Sequence, residues 1–118
     1  VVTDDFTHNA RYGSEEIELD GDAFRSLARG YLRKIPLPGM YSFEQRAGYI
    51  QGLMEKSQAE GLIYLIQLYC DAYAMEYSVL KEYFDKWSLP HLKIEAEDTP
   101  LSIEQLNVRV QSFIESLL

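Results

Sequence analysis

The sequence has one cysteine, one tryptophan and four prolines among 118 residues, and its 11 lysines and arginines are outnumbered by 19 aspartates and glutamates. One cysteine cannot close an internal disulfide, so nothing points to an oxidising compartment. The shortage of basic residues leaves a formal net charge of −8 and a pI near 4.7. Phosphate binding needs a basic patch, so the balance excludes nucleic acid and an anionic membrane surface as expected partners. No stretch approaches the roughly 20 apolar residues of a membrane span. The opening Val1-Val2-Thr3-Asp4-Asp5 lacks the basic start and apolar segment of a signal peptide. A cytoplasmic location is the default expectation. There is no P-loop, no G-x-G-x-x-G, no internal repeat and no low-complexity tract. The chain does not begin with methionine, and its first residues read as the second half of a strand. The expectation is therefore a piece of a larger protein.

What is present is enough apolar sequence, 47 % of the residues, for the core of one domain. Its centre is Gly61-Leu-Ile-Tyr-Leu-Ile-Gln-Leu-Tyr-Cys-Asp71. A short apolar, β-favouring run after a glycine fits a strand buried on both faces of a parallel sheet. Ligands of such sheets bind beyond the carboxyl ends of the strands. Cys70 and Asp71 stand just past that end.

The rest of the chain alternates around this strand. Val1–Thr3 reads as a strand running into a polar loop, Asp4 to Ser14, which suits either a site loop or a solvated surface loop. A helix follows, with Asp20 or Asp22 as N-cap and Phe24, Leu27, Ala28, Tyr31 and Leu32 on one apolar face. Pro36, Pro38 and Gly39 break it. Ser42 and Gln45 form a capping box for a second helix, with Phe43, Ala47, Ile50 and Met54 on one face and an end near Glu60. After Cys70, Asp71 to Met75 reads as a short connection. A third helix then carries Tyr77, Leu80, Phe84 and Trp87. His91 to Glu95 alternates as a strand nearer the sheet edge. Ser102 and Gln105 cap a last helix, faced by Leu106, Val110, Phe113, Ile114 and Leu117. This order predicts an α/β fold: a three-layer Rossmann- or flavodoxin-like domain with a short parallel sheet flanked by helices, three strands being visible here.

Cys70 has three readings. It is a buried structural cysteine, a nucleophile needing His8 or His91 as base, or one ligand of a metal or iron–sulfur cluster whose other ligands lie elsewhere. Asp4 and Asp5 are a candidate general-base or metal pair. Neighbours on a strand point to opposite faces, however, so a solvated or capping role competes. The Tyr69, Tyr73, Tyr77 cluster reads as packing rather than as a stacking platform.

Four pieces in order carry a resemblance: Asp4-Asp5 with Arg11-Tyr12; Gly61-Leu-Ile-Tyr with Tyr69-Cys70-Asp71; Leu89-Pro90-His-Leu-Lys-Ile-Glu95; and Arg109 with Ser112-Phe113. Together they resemble the C-terminal domain of a subunit of the 2-hydroxyacyl-CoA dehydratase / benzoyl-CoA reductase family. The resemblance implies a larger subunit whose N-terminal domain is absent from this chain, and an active enzyme only when both are present. It implies a [4Fe-4S] cluster between two α/β domains, with Cys70 as one iron ligand, and Asp4, Asp5, Arg11, Tyr12 and Asp71 as residues lining the cleft. It implies a homologous second subunit in a heterodimer, an ATP-dependent iron–sulfur activator that injects an electron, and an acyl-CoA substrate. The reaction would be radical dehydration of a 2-hydroxyacyl-CoA or reduction of benzoyl-CoA. Thr7 stands where many members have cysteine, Tyr69 where Phe is usual, Ala72 where Pro is common and Ser112 where Ala is. The choice between lyase and reductase stays open on these residues. So does a non-catalytic α/β interaction domain with a structural Cys70.

Overall fold

The computed structural model describes residues 1–6, 16–34, 37–38, 42–97 and 103–118. The elements run α1 (Ala23–Arg33), α2 (Phe43–Ser57), β1 (Leu62–Gln67), α3 (Asp71–Lys86), β2 (His91–Ala96) and α4 (Ile103–Ser116). β1 and β2 pair in parallel, with Leu62 opposite His91 and Gln67 opposite Ala96. The Ser102, Pro36 and Gly39 signals lie outside the described residues.

Each helix boundary has a local cause. At α1 the cap is Asp22, whose carboxylate accepts from the N–H of Phe24 at 3.0 Å and of Arg25 at 3.1 Å. Asp20 instead bonds the buried Ser26 hydroxyl at 2.8 Å and pairs with Arg29. At α2 the Ser42 hydroxyl accepts from Gln45 N–H. This helix stops at Ser57, earlier than Glu60, because Gln58 turns left-handed at φ 55°. The N–H of Ala59 then reaches back to the carbonyl of Met54 at 2.9 Å, a Schellman-type closure. α3 begins at Asp71 rather than after Met75. Ala72, Ala74 and Met75 favour helix, and Asp71 complements the positive end of its dipole.

The core lies between the sheet and the α2–α3 layer. Ala47, Ile50 and Met54 from α2 and Tyr77, Leu80 and Phe84 from α3 close over Tyr64 and Ile66 of β1. His91, on this same face of β2, packs its ring against Phe84 and Tyr77. α4 takes the opposite face. Ile94 is buried there, outside the α2–α3 cluster, and Arg109 donates to the carbonyl of Lys93 at 2.7 Å. Gly61 is needed for this contact: a Cβ there would come within 2.8 Å of Leu117 Cδ1 and 2.9 Å of Phe113 Cζ. Helices on both faces of a short parallel sheet make this an α/β fold, as the alternation predicts.

Three further expectations change. Val1–Thr3 forms no strand, and Val1 and Val2 are exposed. A strand exists only through its ladder, and among the described residues the sheet has two strands. β1 is buried on one face only: Ile63 and Leu65, pointing away from α2 and α3, stay 39 % and 45 % exposed. α4 reaches β2 and the Gly61 end but leaves this part of β1 uncovered. The apolar face of α1 is likewise bare, Phe24 and Leu32 being 88 % and 86 % exposed.

These burials set opposite costs for two phenylalanines. Phe84 is fully buried, so Phe84→Ala should lower stability by about 3–5 kcal/mol. Phe24→Ala should change it by less than about 0.5 kcal/mol. Urea denaturation followed by circular dichroism measures both.

Candidate functional site

Both strands run the same way, so their carboxyl ends lie together, and the chain leaves β1 through a tight turn. Leu68 N–H bonds the carbonyl of Ala96 at 2.9 Å, and Cys70 N–H bonds the carbonyl of Gln67 at 3.0 Å. Cys70 is then the N-cap of α3. Its side chain makes no capping hydrogen bond, so the thiol is not committed to the helix. It is half-buried and in no disulfide. Around it is an open pocket of about 230 Å³, walled by Ile66, Gln67, Leu68 and Tyr69 from the strand end and turn, Asp71 and Ala74 from α3, and Glu95 from β2. Cys70 and Asp71 therefore share one concavity at the carboxyl end of the sheet, where an α/β fold places its ligands.

Tyr69 is the strained residue of this turn. Its φ is 68°, and its side chain is 89 % exposed at the pocket lip. A bulky aromatic in the left-handed region is an outlier that the surrounding chain must impose. The peptide geometry needed to bring Cys70 to the helix start imposes it here.

The other candidates separate from this pocket. Asp4 accepts from Phe6 N–H at 3.0 Å, a local turn. Asp5 pairs with Arg46 of α2 at 2.7 Å. Neither lines the pocket. Arg11 and Tyr12 lie outside the described residues, as do Thr7 and His8. His91 is the first residue of β2, opposite Leu62, whereas Cys70 follows the far end of β1. Five residues at about 3.3 Å each put roughly 16 Å between them. His91 Nδ1 lies 3.0 Å from the carbonyl of Leu89. The cysteine–His91 nucleophile is thereby removed. Among the described residues no group of three or more His, Cys, Asp or Glu could hold a metal ion. Cys70 fits the role of one thiolate ligand, free of a cap and facing a pocket, and no more than one.

A buried polar cluster joining α2, α3 and β1 escaped the sequence reading. Arg46 Nε donates to Glu76 Oε1 at 3.0 Å, Arg46 NH1 donates to Asp5, and the Tyr64 hydroxyl donates to Glu76 Oε2. Arg46 and Glu76 are 3 % and 1 % exposed. Burial pulls the Arg46 pKa down, but Asp5 and Glu76 together outweigh it and hold it above the ordinary arginine value. Burial first, and then Glu76, push the Tyr64 phenol far above its usual value, so it stays a donor. The signal was present in the sequence. Arg46 falls between Phe43 and Ile50 on the apolar stripe of α2, and Glu76 falls between Tyr73 and Leu80 on that of α3. One charge of each sign on facing stripes points to a buried pair.

With this geometry in view, the comparisons decide the family. The model of the family "2-hydroxyglutaryl-CoA dehydratase, D-component" matches residues 1–117. The chain belongs to that family. It is similar to the (R)-phenyllactyl-CoA dehydratase beta subunit of Clostridium sporogenes, 25 % identical over 118 residues, which is 99 % of this chain and 31 % of that subunit. It is also similar to subunit beta of the (R)-2-hydroxyglutaryl-CoA dehydratase of Acidaminococcus fermentans, 35 % identical over 72 residues, 61 % of this chain and 19 % of that subunit. The chain thus spans less than a third of the length of these curated relatives. No solved structure gives a significant match. Among the described residues no helix is long and apolar enough to cross a membrane.

The strain at Tyr69 makes a checkable asymmetry. The left-handed conformation costs an L-residue about 1–2 kcal/mol, and the freer unfolded state of glycine returns about 0.4–1 kcal/mol of any gain. Tyr69→Gly should therefore stabilise the chain by up to about 1 kcal/mol, while Tyr69→Ala should bring no such gain. Denaturation midpoints of the two variants decide it.

Proposed function

We propose that this chain is the cluster-binding portion of a 2-hydroxyacyl-CoA dehydratase-type subunit, with Cys70 giving one thiolate ligand to a [4Fe-4S] cluster. One observation carries the reading: in a member of this dehydratase family, the single cysteine stands uncapped at the start of α3 in an open pocket. The remaining ligands would come from outside this chain, whose one cysteine is Cys70. A bound cluster would supply one-electron chemistry and a Lewis-acid iron for removal of water from an acyl-CoA.

The chain's own residues have definable parts in this. The turn through Tyr69 brings Cys70 to the start of α3 at the pocket. Asp71 puts a carboxylate on the pocket wall, where it would raise the cost of adding negative charge to the site and so lower its reduction potential, whereas the Glu95 carboxylate is paired with Lys93 at 2.5 Å. Ile66 and Leu68 supply apolar wall that limits water at the thiolate. The named relatives are beta subunits, which supports a second, homologous subunit as partner. An ATP-dependent iron–sulfur activator, and the alternative of a benzoyl-CoA reductase-type reaction, follow from the family resemblance. Cys70 also touches the core cluster, and this favours the competing reading of a structural cysteine in an interaction domain.

Anaerobic iron and sulfide analysis, with the visible spectrum, separates the two on the full-length protein containing this chain and on its Cys70→Ala variant. The expected result is a cluster in the parent that the variant loses or holds with a changed spectrum, while circular dichroism of the two stays the same. A parent without iron after anaerobic reconstitution, or a variant that retains the cluster unchanged, would return Cys70 to packing.

A further inference from the structure

Two apolar faces of the chain lie open, and they suit each other. The first is on α1, where the polar side is the covered one. Ser26 is buried, its hydroxyl donating to Asp20 Oδ1 at 2.8 Å and accepting from the Asp20 N–H at 3.1 Å. Ile17 leans on Gly30, where an added Cβ would come within 3.1 Å of its Cγ1. Ser26 and Gly30, four residues apart, share one side of the helix. The segment before α1 is thus strapped to that side. The opposite side, with Phe24, Leu27, Tyr31 and Leu32, is turned to solvent, Leu27 and Tyr31 about half exposed and the other two almost fully. Phe24, Leu27 and Tyr31 fall at i, i+3 and i+7, the spacing with which a helix docks by one face. No other helix or strand packs broadly on α1.

The second face is on the sheet, at Ile63 and Leu65, where α4 leaves β1 uncovered. An α/β layer buries such a face under a helix. Charge points the same way. Residues 23–34 hold four of the chain's 11 basic residues and none of its 19 acidic ones. Arg25 and Arg33 have no carboxylate partner among the described residues. The remainder of the chain is therefore strongly acidic, and a basic helix is drawn to it. In one chain the two faces do not meet, since both are exposed. We propose that α1 docks on the open β1 face of a second copy of this chain, and that the second copy's α1 does the same in return. The 11 residues of α1 are about 16 Å long, too short for a single contact to bury the roughly 800 Å² per partner of a stable interface. A two-fold pair makes the contact twice. The proposal goes beyond the cluster reading and does not depend on it.

The test is sedimentation velocity of the 118-residue chain over a concentration series, with its Phe24→Glu and Leu65→Lys variants. Both positions are exposed, so each variant should keep the parent's circular dichroism. The parent should reach twice its 13.7 kDa as concentration rises, and less readily as salt screens the attraction. Each variant alone should associate at least about tenfold more weakly, as for loss of an apolar anchor. A mixture of the two variants should regain part of the association, because one intact α1 then meets one intact β1 face. A Leu65→Lys variant that still dimerises would overturn the proposal, since α1 would then pair with α1. A Phe24→Glu variant that still dimerises would do so as well, leaving the sheet faces paired with each other. A parent that stays monomeric also overturns it. If such a monomer binds phosphatidylserine vesicles through Phe24, the occupant of α1 is a membrane instead. None of these readouts involves iron, so a failed cluster assignment leaves the result standing.

Discussion

Parallel pairing of β1 with β2 is the constraint on which the rest of the molecule depends. Two adjacent strands can run the same way only if the chain crosses from the end of one back to the start of the other. Here α3 makes that crossing over 16 residues. The crossing obliges α3 to start at the carboxyl end of β1. That requirement brings Cys70 to a helix start and a pocket at once. It also lays the apolar stripe of α3 along the sheet, where Leu80 and Phe84 are fully buried. α2 packs on α3, and α4 closes part of the other face against Gly61 and β2. The site is thus a consequence of topology before it is one of chemistry.

The second organising feature is electrostatic. A carboxylate buried against Tyr64, whose ring packs on those of Tyr73 and Tyr77, is tolerable only with both of its oxygens served. The buried pair contributes little net stability over an apolar substitute, but breaking it strands a charge. It therefore acts as a fixed point: α2, α3, β1 and the amino-terminal segment all meet at Arg46 and Glu76. Lys93 lies over the ring of Tyr77 on the sheet side of the same group, 5.4 Å from its centroid.

Much of this was legible in the sequence, and the reasons are local. The caps at Asp22 and Ser42 and the stripe of Ala47, Ile50 and Met54 follow from backbone donors and helical period. So do the alternation of Leu92 and Ile94 and the break at Gly61. Where the reading differed, a long-range term was involved. Asp71 to Met75 read as a connection because aromatic residues surround it, whereas the crossover requires helix there. Val1–Thr3 has strand composition and no partner strand among the described residues. Arg46 and Glu76 were not singled out, because their pairing exists only once two helices face each other.

Sequence by itself determined the α/β class, the six described elements, the place of Cys70 just beyond the central strand, and, through four ordered motifs, the family. Those properties depend on spacing within about one helical turn or one strand, distances that the chain encodes directly. Tertiary structure alone decided that Cys70 is an uncapped helix start in a pocket shared with Asp71 and Glu95. It also separated His91 from that pocket and engaged Asp5 with Arg46. These are contacts between residues far apart in sequence, and their geometry exists only once burial has chosen which faces meet.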